Sequence, residues 1–120
     1  MDRKEIESKL NDKTYKKCEH LTKETKNLIL DDFTNYHRAH DKHEDLIICM
    51  EEMAELTQQL SKVVREKTDI HDISVLEEIA DVKICLSQLV RAFNIDKEEL
   101  KYISDIKYER IAQKIKEDKA

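Results

Sequence analysis

Glycine and proline are both absent from this 120-residue chain, where average usage would supply about eight and about six. Glycine ordinarily serves positive-φ positions, and proline ordinarily ends helices and stiffens turns. Tight sheet hairpins draw on Gly. A chain with neither residue is most easily built from helices joined by turns of Asn, Asp, Ser and Thr, so an all-α fold is expected. No apolar run approaches the ~20 residues of a membrane span. The first ten residues, MDRKEIESKL, do not have the form of a signal peptide, so no membrane role and a cytoplasmic location are expected. No basic block stands out, which argues against nucleic acid as a main partner. The three cysteines, Cys18, Cys49 and Cys85, form no CxxC and sit in apolar settings, which reads as reduced structural thiols.

What is present is charge. Charged residues make up 41% of the chain, yet the net charge is only −5, so both signs are interspersed as on solvated helix faces. The length fits one domain, residues 1–120, with one modest core. Residues 1–12 carry only Ile6 and Leu10 at helical spacing and predict a short or frayed helix. A longer helix is expected over about 14–39, carrying Cys18, Leu21, Leu28, Ile29, Phe33 and Tyr36. Three acid-terminated cap signatures follow: Asp41-Lys-His-Glu44, Ser74-Val-Leu-Glu77 and Asp96-Lys-Glu-Glu99. They open helices over about 42–67, from Ser74 to about Asn94, and from Asp96 to about 117. Asn94 would supply the left-handed residue that Gly usually provides.

The helix that begins near Ser74 is apolar almost all round, from Val75 through Phe93, with a narrow polar strip of Lys83, Ser87 and Arg91. Such a helix is usually central and covered on most sides. A helical bundle completed by homo-oligomerisation through this helix is therefore expected. On a helical wheel at about 100° per residue, with Glu78 at zero, Asp81 falls near 300°, Cys85 near 340° and Leu89 near 20°. The polar strip lies opposite. Glu78 and Asp81 thus point into the apolar side, where unpartnered carboxylates require a cation or a proton. On the preceding helix Glu52 flanks the apolar stripe, while Glu55 looks like a surface residue. The i, i+3 spacing sets the two on adjacent turns, so side-by-side packing would bring all four acids to one groove.

Hard oxygen ligands without nearby His or Cys suit Mg²⁺, with Mn²⁺ as a substitute, better than zinc. A ferritin-like di-iron site needs Glu-x-x-His pairs, and none of the five histidines has a Glu three positions before it. Mg²⁺ held by carboxylates commonly also takes phosphate oxygens, which points to phosphate-ester or anhydride chemistry. Solvated surface acids are the plainer explanation of each pair alone.

Glu51-Glu-Met-Ala-Glu-Leu56, residues 56–77, then Glu78-Ile-Ala-Asp-Val82 resembles the signature of MazG-like proteins, of the all-α nucleoside triphosphate pyrophosphohydrolase superfamily. The resemblance covers about residues 42–112. It implies a four-helix core, a homodimer or dimer of dimers, and hydrolysis of a (d)NTP to (d)NMP and pyrophosphate in nucleotide-pool clearance. By position it implies that Glu52, Glu55, Glu78 and Asp81 bind Mg²⁺, with Glu52 or Glu55 activating water. Glu51 is a further, weaker candidate. Lys107 and Arg110 in Lys-Tyr-Glu-Arg resemble the Lys-x-x-Arg of relatives and would contact the triphosphate; ordinary helix-surface charge is the alternative. Many relatives carry a Gln and a Lys before the first acidic motif, where this chain has Glu44-Asp-Leu-Ile-Ile48.

His37, His40 and His43 recur every third residue, as ligands of a transition metal could, but they straddle an expected helix boundary with no acid converging on them. Phe33 and Tyr36 would line a base pocket or, more simply, pack in the core. Asp69 and Asp72 read as turn and cap residues. A catalytically silent helical-bundle interaction or regulatory protein and a phosphohydrolase acting on another metabolite remain the competing readings.

Overall fold

Two residues that are not glycine take over the turns glycine would normally make. In the computed structural model, which describes residues 1–10, 21–38 and 43–119, Glu66 has φ 58° and Asn94 has φ 48°. Each closes a helix in the same way. The Glu66 N–H donates to Val63 O at 3.0 Å and the Lys67 N–H to Lys62 O at 2.8 Å. The Asn94 N–H donates to Arg91 O at 3.3 Å and the Ile95 N–H to Val90 O at 2.9 Å. These crossed bonds satisfy the orphan carbonyls of the last turn. Asn tolerates the left-handed region, whereas Glu in that region costs about 1–2 kcal/mol.

The helices so bounded are α1 (Arg3–Lys9), α2 (Lys23–Arg38), α3 (Glu44–Val64), α4 (Ile73–Ala92) and α5 (Lys97–Lys119). No strand occurs among the described residues, so the all-α expectation holds. The long first helix is shorter at its start than expected: α2 begins at Lys23, capped by Thr22 Oγ1, which accepts from the Thr25 N–H at 3.1 Å. Cys18, His40 and Asp41 lie outside the described residues. His43 stands at the N-cap of α3 and makes no side-chain capping bond.

The start of α4 decides between two cap readings, the Ser74 capping box and Asp72 as a cap residue. Asp72, not Ser74, occupies the N-cap: its Oδ1 accepts from the Ser74 N–H at 3.0 Å and from the Ser74 hydroxyl at 2.6 Å. Asp carries a full charge opposite the positive helix end, which favours it over Ser. At α5, Asp96 Oδ1 accepts from the Glu98 N–H at 2.8 Å and the Glu99 N–H at 3.3 Å. Asp69 Oδ1 accepts from the His71 N–H at 2.7 Å, the turn role its sequence suggested.

The α3–α4 pair is the main packing unit, with α2 against both. The Ser74 hydroxyl bonds to Gln59 Oε1 at 3.2 Å, and Gln88 Nε2 reaches Asp45 Oδ1 at 3.3 Å. The start of one helix therefore meets the end of the other, and the pair is antiparallel. Gln88 Nε2 also donates to Thr34 Oγ1 of α2, whose own hydroxyl donates to Leu30 O at 2.8 Å. Asp45, Gln88 and Thr34 are all buried, so a polar junction ties the three helices together. The amide nitrogen faces Asp45 because a carboxylate oxygen there requires a donor.

Among the described residues the buried apolar side chains are Cys49, Val75 and Ala92, of which Val75 has no exposed surface. Two expectations are corrected here. Leu28, Phe33 and Tyr36 of α2 are exposed rather than core, since α2 turns Leu30 and Thr34 inward. The polar strip of α4 is not wholly a solvent exit, because Arg91 Nη1 meets Asp31 Oδ1 at 2.7 Å and its Nη2 meets Asn27 Oδ1 at 2.8 Å. That strip is where α2 docks. Ile79, Ile84 and Leu86 of α4 remain exposed, and α5 has no buried residue. The chain exposes 10092 Å², against about 6,800 Å² for a compact monomer of this size. Among the described residues, no helix is long and apolar enough to cross a membrane.

Candidate metal centre

Antiparallel packing of α3 on α4 decides where the four acids lie. Glu52 and Glu55 are one turn apart on α3, and Glu78 and Asp81 one turn apart on α4. Glu52, Glu55 and Glu78 each bring a carboxylate oxygen within 4.8 Å of the others. Glu52 and Glu78 are half-buried and Glu55 is exposed. The outward direction read for Glu55 is thus correct, yet its carboxylate still reaches the cluster from the rim. Asp81, half-buried, stands beside this trio without belonging to it by that distance; the Glu55 charge acts on it.

The electrostatics follow from like charges in a partly dry groove. Burial first, then the charges of Glu55, Asp81 and Glu52, push the Glu78 carboxyl up to about 7. Burial, followed by the charges of Asp81 and Glu55, raises Glu52. Asp81 is raised by burial and then by Glu55. Glu52 Oε2 and Glu78 Oε2 are shut off from solvent and have no hydrogen-bond partner. Buried acceptors almost always find a donor, so two solvent-excluded carboxylate oxygens without one, on two different helices, form an arrangement that a cation, or a proton shared among the neighbouring carboxyls, would complete. The donor set is all carboxylate oxygen, which fits a hard divalent ion such as Mg²⁺.

Cys85 borders the same groove. Burial and then the charges of Glu52, Cys49 and Asp81 push its thiol up to about 11, so it stays protonated at neutral pH and is a poor nucleophile. Its place near Glu78 on the helical wheel already indicated this neighbourhood. Cys49 and Cys85 are free thiols.

Other candidate residues lie elsewhere. Glu51 is exposed on α3 and takes no part in the trio. Lys107 and Arg110 are exposed on α5, which stands apart from the α2–α3–α4 packing. Within the described residues of one chain, no cation is brought to the carboxylates by an ion pair. His37 belongs to α2 and His43 precedes α3, with His40 outside the described residues. Compared with protein-family models, with curated proteins and with solved structures, the chain matches none.

Proposed function

We propose that this protein is a Mg²⁺-dependent hydrolase of nucleoside triphosphates, releasing a nucleoside monophosphate and pyrophosphate. The observation that carries the reading is the pair of solvent-excluded, unpartnered oxygens on Glu52 and Glu78, with Glu55 completing a trio within 4.8 Å. The spacing of Glu52-x-x-Glu55 and Glu78-x-x-Asp81, which resembles the MazG-like signature, supports the choice of phosphoanhydride as substrate.

In this reading Glu52, Glu55, Glu78 and Asp81 hold Mg²⁺, and Mn²⁺ substitutes. When bound, the ion neutralises the crowded carboxylates and the charge that grows on phosphate oxygens during cleavage. Glu55, as the exposed member of the Glu52/Glu55 pair, is the better suited to orient a water and accept its proton on a carboxylate oxygen. Glu78 and Asp81 anchor the opposite wall from α4. Lys107 and Arg110 would neutralise the triphosphate, and the separation of α5 from the carboxylates within one chain favours their delivery by a partner copy. The excess exposed surface and the open apolar faces of α4 and α5 support a homodimer or dimer of dimers completing a four-helix core.

The test is pyrophosphate release from a panel of (d)NTPs with Mg²⁺, with Glu78→Gln and Asp81→Asn as controls. Turnover abolished by both substitutions is expected. Orthophosphate as the product would overturn α–β cleavage. Lack of both turnover and Mg²⁺ stabilisation would favour a catalytically silent helical bundle.

A further inference from the structure

An apolar cleft of ≈ 320 Å³ runs between α1 and α4, lined by Ile6, Leu10, Ile73, Leu76 and Ala80, with Glu77 and Asp81 as its polar wall. Its location sets it apart from the other cavities. One lies at Ser87, Arg91 and Lys97 near the far end of α4, and others sit on the open surfaces of α3 and α5. On the wheel of α4, at about 100° per residue, Ile73, Leu76, Glu77 and Ala80 span roughly 160° to 260°. Asp81, near 300°, separates this face from Glu78 at zero. Asp81 lines the cleft and also bears the charge of Glu55, so it is the residue that the cleft and the carboxylate groove share.

We propose that this cleft receives the heterocyclic base of the nucleotide whose phosphates meet the carboxylate groove, with Glu77 selecting the base. The inference rests on the metal-dependent nucleotide reading above and adds where the base goes and which one is preferred. An apolar slot with a few convergent polar groups is the usual form of a small-ligand site. Ile73, Leu76 and Ala80 supply the apolar wall on α4, and Ile6 and Leu10 close it from α1. The polar wall presents carboxylate oxygens, which accept hydrogen bonds and donate none. Guanine offers two adjacent N–H donors to a carboxylate; adenine and cytosine offer an amino group; uracil offers one N–H flanked by two carbonyl oxygens that a carboxylate repels. A ranking of guanine first and uracil last follows. Glu77 is outside the carboxylate trio, so it is free to serve the base.

The experiment uses the full chain with Mg²⁺ and nucleoside 5′-monophosphates. Calorimetry is expected to give GMP binding at least about tenfold tighter than UMP, a ratio that Glu77→Gln lowers to about twofold or less. Amide NMR shifts on GMP addition should map to Ile6, Leu76 and Ala80. Ala80→Phe fills the slot from an exposed position and should weaken GMP about tenfold or more, while Mg²⁺ still raises the melting temperature as in the wild type. If Mg²⁺ stabilises the protein but GMP shifts fall on the Ser87–Arg91 face, or Ala80→Phe binds GMP normally, this inference is overturned and the metal reading stands. If Mg²⁺ has no effect on the wild type, both fall together.

Discussion

Glu52 Oε2 and Glu78 Oε2 come from different helices, yet both are excluded from solvent in the same groove without a hydrogen-bond partner. Neither helix alone would create this. It arises because α3 and α4 pack side by side, which brings Glu78 of one within reach of Glu52 and Glu55 of the other. The folded chain holds like charges together, and anything that neutralises them should stabilise it.

Mg²⁺ is therefore expected to raise the melting temperature, and Glu78→Gln to remove most of that response while stabilising the metal-free protein. At a hundredfold excess over Kd, a bound ion adds about 2.7 kcal/mol. Differential scanning calorimetry in EDTA and in Mg²⁺ measures both effects. A Glu78→Gln protein that is less stable than wild type in EDTA would contradict the repulsion argument.

The dependence on pH has a definite sign. Glu78 is raised from 4.5 to about 7 on folding, so the folded state favours its protonated form. Its contribution to stability is complete below about pH 4.5 and is lost as pH climbs through about 7. In EDTA, urea midpoints should fall across that window, and Glu78→Gln should flatten the fall. Mg²⁺ competes with the proton, so its stabilisation should be larger at pH 8 than at pH 5. Midpoints that rise in EDTA over this range for wild type but not for Glu78→Gln would refute the assignment.

Among the described residues Val75 has no exposed surface; it lies one turn before Glu78 on α4, about 60° round the helix from it, and contributes no ligand atom to the trio. Val75→Ala removes two methyl groups and should cost about 2 kcal/mol. Chemical denaturation reads the loss. The Mg²⁺ response should be retained, which separates core packing from the site.

Gln88→Ala should act on α2 more than on the α3–α4 pair. It removes the buried bonds to Thr34 and Asp45, one of them to a carboxylate, and their loss should cost about 1–3 kcal/mol. Hydrogen exchange should quicken chiefly over residues 23–38. By contrast Arg91→Ala removes a partly exposed pair with Asp31 and should cost no more than about 1 kcal/mol.

Much of this architecture is legible in the sequence, and the failures have physical reasons. The apolar periodicity gave α3, α4 and α5 to within a few residues. Asn94 revealed its turn because Asn is a known left-handed residue. Glu66 makes the same turn and carries no such sign; only its backbone bonds to α3 hold it there. The Glu three residues after Ser74 suggests a capping box there, whereas the plainer sign, an Asp at 72, marks the cap that forms and that captures the Ser74 hydroxyl as well. The inward set of Glu78 and Asp81, and the flanking place of Glu52, could be read from the wheel. The reach of Glu55 could not, since its carboxylate joins the trio from an exposed position that only the α4 partner defines. The docking of α2 through Arg91 was likewise invisible, because a charged strip gives no hint that a neighbour supplies Asp31 and Asn27. The outward turn of Phe33 and Tyr36 depends on Thr34, a polar residue that periodicity scores as surface.

α5 is a 23-residue rod, about 34 Å long at 1.5 Å per residue, that leaves the rest of the molecule at Asn94 without burying any of its own residues. Such a rod works as a lever. A tilt of about 10° at that pivot would sweep its far end through about 6 Å over this length. Lys107 and Arg110, about halfway along, would travel roughly half as far. Small adjustments in two or three backbone dihedrals near Asn94 would thus set how near those cations come to any anionic surface facing them.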